Sequence, residues 1–270
     1  MIEFRDVDYS IDGRPILKGI SLAVRAGETR VILGPSGSGK STTLRLLIGL
    51  VKPDRGGIFI DGEDITSVSE ERLRQIRHGI GMVFQQGALF DSMTVGENVG
   101  YALLEQNDDE AEVETRVREV LRRVGLDDEL IDRMPDEMSG GMQRRVAIGR
   151  ALAARDPKIL LYDEPTTGLD PQSAELITDL IVQLRDTLGK TSILVTHDIA
   201  DAFKVGNSIT VLNEGRVVFD GSATDLDRSN DSFIHQFLAP FRTAVAAAAK
   251  RLTDAAPRSA SAPPLRGGTT

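Results

Sequence analysis

One stretch of the sequence combines glycine, lysine and hydroxyl residues at a spacing that suits phosphate binding. The segment VILGPSGSGKST fits G-x-x-x-x-G-K-[ST], with an apolar strand pattern before it and a helical pattern after it. Glycines let backbone N–H groups point at phosphate oxygens, and a helix N-terminus adds partial positive charge. Lys40 would reach the β- and γ-phosphates of a nucleotide, and the Ser41 hydroxyl would coordinate Mg²⁺. The predicted cofactor-binding residues are Gly34, Pro35, Ser36, Gly37, Ser38, Gly39, Lys40, Ser41 and Thr42.

Two adjacent carboxylates follow a second apolar strand. The segment ILLYDE places Asp163 and Glu164 at the carboxyl end of that strand, where ligands bind in open α/β sheets. We predict that Asp163 holds Mg²⁺ directly or through a water, and that Glu164 is the general base that polarises an attacking water. Acidic pairs at strand ends are otherwise common turn residues, so this assignment depends on the phosphate-binding loop upstream.

Strands and helices in alternation must position these residues. Strand patterns occur in ISLAV, TRVILG, GGIFI, GIGMVF, KILLYDE and TSILVTHD, while PQSAELITDLIVQL predicts a helix with Pro171 in its first turn. The segment SITVLNEGRVVFDG predicts a hairpin with a turn at Asn213–Gly215. This alternation predicts an open, largely parallel sheet covered on both faces. A helical period dominates from about Val95 to Leu152, which indicates a subdomain inserted into the sheet.

Composition excludes several classes of protein. The 270 residues contain no cysteine, which excludes a disulfide scaffold and thiolate metal sites. No apolar run approaches the roughly 18 residues that span a bilayer, and the acidic start MIEFRDVDYS is not typical of a secretory signal. The formal charge of −9 argues against a nucleic-acid partner. Residues 239–270 are rich in Ala, Pro, Ser, Gly and Thr, so we expect a C-terminal extension that is largely disordered.

Five further segments occur in the order that marks the ABC ATPase family, and residues 1–238 therefore resemble an ABC ATPase domain. They are an aromatic residue upstream of the loop (Tyr9), MVFQQ (Gln85), MSGGMQRR (Ser139, Gly140, Gly141), TGLDP (Asp170) and VTHD (His197). The resemblance implies an α/β fold, namely an ABC-type P-loop NTPase core with an antiparallel β subdomain and an α-helical subdomain inserted at about 95–152. It also implies ATP and Mg²⁺ as cofactors and hydrolysis of ATP.

The resemblance further implies a head-to-tail homodimer with two ATP molecules at its interface. Ser139, Gly140 and Gly141 would cap a helix that begins near Met142 and form a second anion site over the γ-phosphate bound by the partner. The family form of this segment is LSGGQ, whereas methionine stands here in its first and last places, and a glutamine follows one place late at Gln143.

The remaining family positions carry individual roles by resemblance. His197 would contact the γ-phosphate, and Gln85 would sense Mg²⁺ and water, with Gln86 leaving an ambiguity of one residue. Asp170 would couple the two sites of the dimer, and Tyr9 would stack on adenine. We thus predict Glu164, His197 and Gln85 as catalytic, and Ser41, Gln85 and Asp163 as metal ligands.

The segment FQQGALFDSMTVGENVGYALLE resembles the corresponding stretch of the ATPases of Mla and Mce lipid transporters, except that a proline expected near Ala102 is missing. The methionine-containing signature and the late segment FIHQFL point the same way. This implies a peripheral motor at the cytoplasmic face of the inner membrane, beneath an MlaE-like permease and an MCE-domain protein. Leu89 and Phe90 would then either line the groove for the permease or fill the core.

Three functions remain open on the sequence. They are a motor for phospholipid or related lipid, a motor for import of a polar solute such as an amino acid or anion, and a non-transport ABC ATPase. In Mla-type ATPases a C-terminal extension can embrace the neighbouring subunit, which is the alternative to disorder for residues 239–270.

Overall fold

Two β-sheets organise the residues that this computed structural model describes, which are 1–104, 109–154 and 157–241. The strands in chain order are β1 (Ile2–Ile11), β2 (Arg14–Val24), β3 (Thr29–Leu33), β4 (Arg55–Ile60), β5 (Glu63–Asp64), β6 (Ile80–Val83), β7 (Ile159–Asp163), β8 (Thr191–Thr196), β9 (Ser208–Asn213) and β10 (Arg216–Gly221). The helices are α1 (Lys40–Leu47), α2 (Glu70–Arg77), α3 (Val95–Leu104), α4 (Glu110–Arg123), α5 (Gly140–Ala153), α6 (Pro171–Leu188), α7 (Ile199–Val205), α8 (Ala223–Asp227) and α9 (Ser232–Leu238). Short 3-10 turns occur at Asp128–Leu130, Pro135–Glu137 and Ala239–Phe241.

The larger sheet has six strands in the order β10-β9-β3-β8-β7-β6. Strands β9, β3, β8, β7 and β6 are parallel, and β10 is antiparallel to β9. The pairs Leu33↔Thr196 and Val195↔Asp163 bring the carboxyl ends of β3, β8 and β7 to one edge. Because these strands are joined through helices, the loops that follow them meet at that edge.

Alternate side chains of the central strands enter two separate apolar cores. In β3, Val31 and Leu33 pack into the core that includes α3 to α7, whereas Ile32 packs into the core that includes α1 and the smaller sheet. Strand β7 divides in the same way, with Leu160 and Tyr162 on the first side. Both faces of the sheet are therefore covered, which explains why β3 and β7 are buried along their whole length.

The smaller sheet is antiparallel in the order β2-β1-β4-β5 and packs over α1. It meets the larger sheet where the Lys18 N–H donates to the Gly215 carbonyl at 2.8 Å. Gly215 lies in the two-residue turn of the predicted β9–β10 hairpin, where Glu214 and Gly215 have φ of 49° and 78°. Positive φ at both positions is the geometry of a type I′ turn.

Helices α3, α4 and α5 occupy the chain between β6 and β7. The Asp109 carboxylate caps α4, and the Ser139 hydroxyl caps α5 by accepting from the Met142 N–H. The prediction that α5 begins near Met142 was wrong by two residues: the helix begins at Gly140, because Ser139 alone serves as its N-cap.

The α/β fold class predicted from the sequence is confirmed. In the described ranges no helix is both long and apolar enough to cross a bilayer. The predicted extension at 239–270 lies outside the described residues except for the turn Ala239–Phe241.

Candidate functional site

The loop from Gly34 to Gly39 joins β3 to α1 in a conformation that requires glycine. The Ser38 N–H donates to the Pro35 carbonyl at 3.2 Å, which closes the loop on itself. Gly39 has φ of 105°, and a Cβ atom there would stand 2.5 Å from Cδ2 of Leu17. A side chain at this position would meet both backbone strain and a clash. The small sheet therefore packs against the loop at Gly39, through Leu17.

Lys40 begins α1 with its ammonium group drawn into this loop. Its Nζ atom donates to the carbonyls of Gly34 at 2.9 Å and Pro35 at 3.2 Å, and the side chain is 6% exposed. The Ser38 hydroxyl is buried and has no hydrogen-bond partner among the described residues. A buried ammonium and an unused hydroxyl in a glycine-rich cradle are donors that suit a polyphosphate.

Ser41 and Asp163 lie together although they are far apart in the chain. The Ser41 hydroxyl donates to Asp163 Oδ1 at 2.8 Å. Burial raises the pKa of Asp163 above its usual value, and the Ser41 hydrogen bond opposes that rise. A hydroxyl and a buried carboxylate are hard oxygen ligands of the kind that Mg²⁺ takes beside phosphate. The residues present thus fit the predicted metal site.

Glu164 is the centre of the site. Its Oε1 atom lies 3.4 Å from Lys40 Nζ, and its Oε2 atom lies 2.8 Å from His197 Nδ1 and 3.1 Å from the Thr167 hydroxyl. Because an ionised carboxylate only accepts hydrogen bonds, the contact with Glu164 is a hydrogen bond in the tautomer of His197 that carries its hydrogen on Nδ1. Glu164 is 8% exposed and has φ of 49°, a strained value for a residue with a side chain. Such strain is found where the surrounding structure fixes a functional side chain.

Gln85 follows β6 at the same edge of the sheet. Val83 pairs with Tyr162, so Gln85 and Glu164 each lie two residues beyond a paired position on neighbouring strands. The Gln85 side chain is exposed and forms no hydrogen bond to another described residue. Gln86 is exposed as well, so the ambiguity between the two glutamines stays open.

The signature residues and Asp170 form a second group at the starts of two helices. Asp170 caps α6 by accepting from the Ser173 N–H at 3.0 Å, and hydrogen bonding with the Ser173 side chain and then with this N–H lowers the pKa of Asp170. Gly141 packs on α6 so closely that a Cβ atom would stand 2.9 Å from Ser173 Oγ. Ser139 and Gly140 are exposed beside this contact. Both residues lie at the N-terminus of α5, where the helix dipole favours an anion.

Tyr9 lies within β1, opposite Leu17 of β2, and is half-buried. Leu17 is the residue that packs on Gly39. Tyr9 therefore belongs to the strand pair that supports the phosphate-binding loop, although its ring also packs on the core beneath. Its predicted stacking on adenine stays a prediction.

The sequence did not predict the contacts of three residues near the site. Arg144 is 5% exposed and donates to the carbonyls of Phe84 at 3.0 Å and Thr167 at 3.3 Å. Asn98 is fully buried, accepts from the Phe90 N–H at 2.8 Å and donates to three carbonyls of the loop 90–94. The side chain of Gln143 donates to the carbonyls of Pro135 at 2.6 Å and Met138 at 3.3 Å, and so supports the segment before Ser139. A polar residue within an apolar helical stripe is the signal that would have identified Arg144 and Asn98.

Comparison with known proteins agrees with this geometry. The family model described as ABC transporter matches residues 17–167, more than half of the 270-residue chain. The chain is 42% identical over 228 residues to the methionine import ATP-binding protein MetN of Caulobacter vibrioides, covering 84% of this chain and 68% of that protein. It is 39% identical over 239 residues to the intermembrane phospholipid transport system ATP-binding protein MlaF of Escherichia coli K12, covering 88% of each.

A solved structure extends the likeness to three dimensions. The ATP-binding cassette MJ0796, in a dimeric post-hydrolysis state bound to ADP and Pi, has a TM-score of 0.75 and 36% identity to this chain. The match covers 82% of this chain and 98% of that one. The matched family, the convergence of Lys40, Asp163 and Glu164, and this likeness have one explanation: the chain belongs to the ABC transporter family, as an ATP-binding subunit that hydrolyses ATP.

Proposed function

We propose that this chain is the motor of a transporter that moves phospholipid or a related lipid between the inner membrane and an outer compartment. It works as a homodimer at the cytoplasmic face of that membrane, beneath an MlaE-like permease and an MCE-domain protein. The observation that carries the lipid assignment is the segment FQQGALFDSMTVGENV, which follows the pattern of Mla and Mce ATPases. The 39% identity to MlaF over 88% of each chain supports it.

The chemistry of the motor follows from the group around Glu164. Lys40 and the loop before it hold the phosphates of ATP, and Tyr9 stacks on the adenine. Ser41, Asp163 and Gln85 hold Mg²⁺, which when bound neutralises phosphate charge.

Glu164 accepts the proton of the attacking water as the general base. Its contacts with Lys40 and His197 hold the carboxylate in place before the substrate arrives. Because the same carboxylate lies beside the residue that binds the phosphates, water activation is placed next to the bond that breaks.

The group formed by Ser139, Gly140, Gly141 and Asp170 acts on the nucleotide of the partner subunit. These residues are exposed at the starts of α5 and α6, or pack directly against that surface. The dimeric state of the cassette MJ0796 supports this arrangement. We assign residues 1–238 to the ATPase domain, with a helical subdomain inserted at about 95–152.

The permease docks beside Phe90. A cleft of about 600 Å³ lies between α2, β6, α3 and α5 and is lined in part by Arg74, Arg77, Ala102 and Arg150. The Phe90 ring is 40% exposed, lies 4.8 Å from the Tyr101 ring and is 5.7 Å from the Arg150 guanidinium. Arg150 lines this cleft, and an exposed aromatic ring beside such a residue is typical of an anchor for a partner helix. Leu89, in contrast, packs on the core and serves the fold.

A motor for import of a polar solute is the second candidate. The 42% identity to the methionine import protein MetN favours it, and its hydrolysis would use the same residues. The two candidates differ in their partners: an importer needs a solute-binding protein, whereas a lipid transporter needs an MCE-domain protein and bound lipid. The formal charge of −9 weighs against the third class, a non-transport ATPase that acts on DNA or ribosomes.

The test is purification of the tagged chain from its native membranes in mild detergent, followed by mass spectrometry of proteins and lipids. A polytopic permease, an MCE-domain protein and phospholipid in one complex would support the proposal. A solute-type permease with a soluble binding protein would replace it by the importer. Phe90→Ala should release the permease, and Leu176→Ala, on the exposed face of α6, is the matched control. Equal retention of the permease by both variants would contradict docking at Phe90.

A further inference from the structure

Helix α5 carries an arginine on its buried face. Arg144 lies in a stripe with Gly141, Ile148 and Leu152, all of them buried. Burial lowers the pKa of the Arg144 guanidinium, which nevertheless stays charged because an arginine does not lose its proton in proteins. No acidic residue of the described ranges forms a salt bridge with it. A buried charge without a counter-ion is costly, so its contacts need an explanation beyond packing.

The guanidinium of Arg144 joins two loops that come from different strands. Its Nη1 atom donates to the Phe84 carbonyl at 3.0 Å, and its Nη2 atom donates to the Thr167 carbonyl at 3.3 Å. Phe84 directly precedes Gln85. Thr167 lies between Glu164 and Asp170, and its own hydroxyl donates to Glu164 at 3.1 Å. One side chain of α5 thus contacts the backbone beside the residues proposed to bind Mg²⁺ and to activate water.

The other arginines of α5 do not make this bridge. Arg150 donates to the carbonyls of Gly87 and Ala88 at 2.8 Å and 2.7 Å, both in the loop after β6. Arg145 donates to the Gly125 carbonyl at 2.6 Å, which lies beyond the end of α4. Of the three arginines in this fully described helix, Arg144 reaches both the loop after β6 and the loop after β7.

We propose that Arg144 is a positioning residue that fixes the loop after β6, which carries Gln85, and the loop after β7, which carries Glu164, relative to α5 and its N-cap Ser139. The planar fork of a guanidinium holds two acceptors at a fixed separation, which the single ammonium of a lysine does not do. When α5 tilts, both loops are drawn with it, so the signature of one site and the hydrolytic residues of the other move together. This inference rests on the proposed roles of Gln85 and Glu164.

The test compares Arg144→Lys and Arg144→Met with Arg145→Met in the full-length protein. Arg145 is the matched control, because it lies on the same helix and donates to one backbone carbonyl, that of Gly125 after α4. We expect both Arg144 variants to lower kcat by on the order of 10- to 100-fold, with KM for ATP within about twofold of wild type. The control should keep its kcat. Thermal unfolding of all three variants shows whether a loss of kcat comes from displaced loops or from a smaller fraction of folded protein.

Two outcomes would overturn the inference. One is a wild-type kcat in Arg144→Lys, which would show that a buried charge suffices without the fork. The other is a loss of kcat in the Arg144 variants that matches their loss of folded protein. If Arg144→Met does not fold, Arg144→Lys carries the test alone, because it keeps the charge and most of the side-chain volume. Glu164→Gln in the same assay tests the proposed function separately: normal turnover there refutes the role of Glu164, whatever Arg144 does.

Discussion

Replacement of Glu164 by glutamine tests two effects of one carboxylate, one on the hydrolysis of ATP and one on its binding. The glutamine keeps the volume and an acceptor oxygen but removes the negative charge. It therefore removes the proposed general base and also the charge that lies 3.4 Å from Lys40 Nζ. In the nucleotide-free protein this ion pair competes with the phosphates for Lys40. We expect hydrolysis to fall and ATP binding to become tighter.

The size of each effect follows from the contacts. A positioned general base contributes about 10²- to 10⁴-fold to a rate, so kcat should fall by that factor. Glu164 and Lys40 have side chains that are 10% and 6% exposed, so solvent screens their attraction little. The contact is longer than a good hydrogen bond, and desolvation offsets part of the attraction. We take its net contribution as roughly 1 kcal/mol, which corresponds to about fivefold tighter binding of ATP in the variant.

The assay measures ATP affinity with a fluorescent ATP analogue and phosphate release under saturating ATP. Glu175→Gln is the control, because Glu175 is exposed on α6 and its neighbour Lys204 is not part of the site. Turnover of Glu164→Gln within about tenfold of wild type would refute the general-base role. Binding of ATP weaker than in wild type would refute the competition for Lys40. The control should match the wild type in both measurements.

Three further changes probe the cradle, the metal site and a buried acid. Gly39→Ala should abolish ATP binding, since its Cβ atom would stand 2.5 Å from a leucine Cδ2 atom at φ of 105°, and wild-type affinity by calorimetry would contradict this loop conformation. Ser41→Ala removes the hydroxyl that donates to Asp163, so the apparent affinity for Mg²⁺ in a magnesium titration of ATP binding should fall by on the order of 10- to 100-fold. An unchanged titration would exclude Ser41 as a ligand. Burial raises the pKa of Asp201 from 3.8 to about 6, while the Thr166 hydroxyl that donates to it opposes the rise. A raised acid pKa contributes stability that is fully present below pH 3.8 and is lost as the pH rises through about 6. Asparagine does not titrate, so the free energy of unfolding of Asp201→Asn minus that of wild type should increase by roughly 1–2 kcal/mol from about pH 4.5 to about pH 7.5. Urea denaturation at both pH values measures that difference, and a constant difference would contradict the shifted pKa.

The sequence predicts those parts of the site that local chemistry determines. The phosphate-binding loop requires glycine for its backbone conformation and lysine for its charge, so the sequence pattern alone predicts it. The sequence predicts the β9–β10 hairpin for the same reason, because its turn needs a residue with positive φ and Gly215 supplies it. The run Ile159–Leu161 at the start of β7 has no polar residue on either face, which predicts burial on both faces.

The contacts between distant segments could not be predicted in this way. Nothing local indicates that Glu164 lies between Lys40 and His197, because that contact depends on the order of β3, β8 and β7 in the sheet. Helix α5 begins at Gly140 rather than near Met142, because Ser139 alone is its N-cap and both glycines lie within the first turn. The position of Arg144 in an apolar helical stripe indicates burial, but the sequence does not identify its two acceptors, because they are backbone carbonyls of distant loops.

The charges of the site also bear on the order in which its ligands bind. Lys40 faces two buried carboxylates, Asp163 and Glu164, and burial raises the pKa of Asp163. A polyphosphate that enters alone brings further negative charge against both, so we expect Mg²⁺ to be needed for tight binding of ATP as well as for its hydrolysis. Glu164→Gln removes one of these charges. Its gain in ATP affinity should therefore be larger when Mg²⁺ is chelated than when it is present, and an equal gain under both conditions would mean that the carboxylate acts on Lys40 alone.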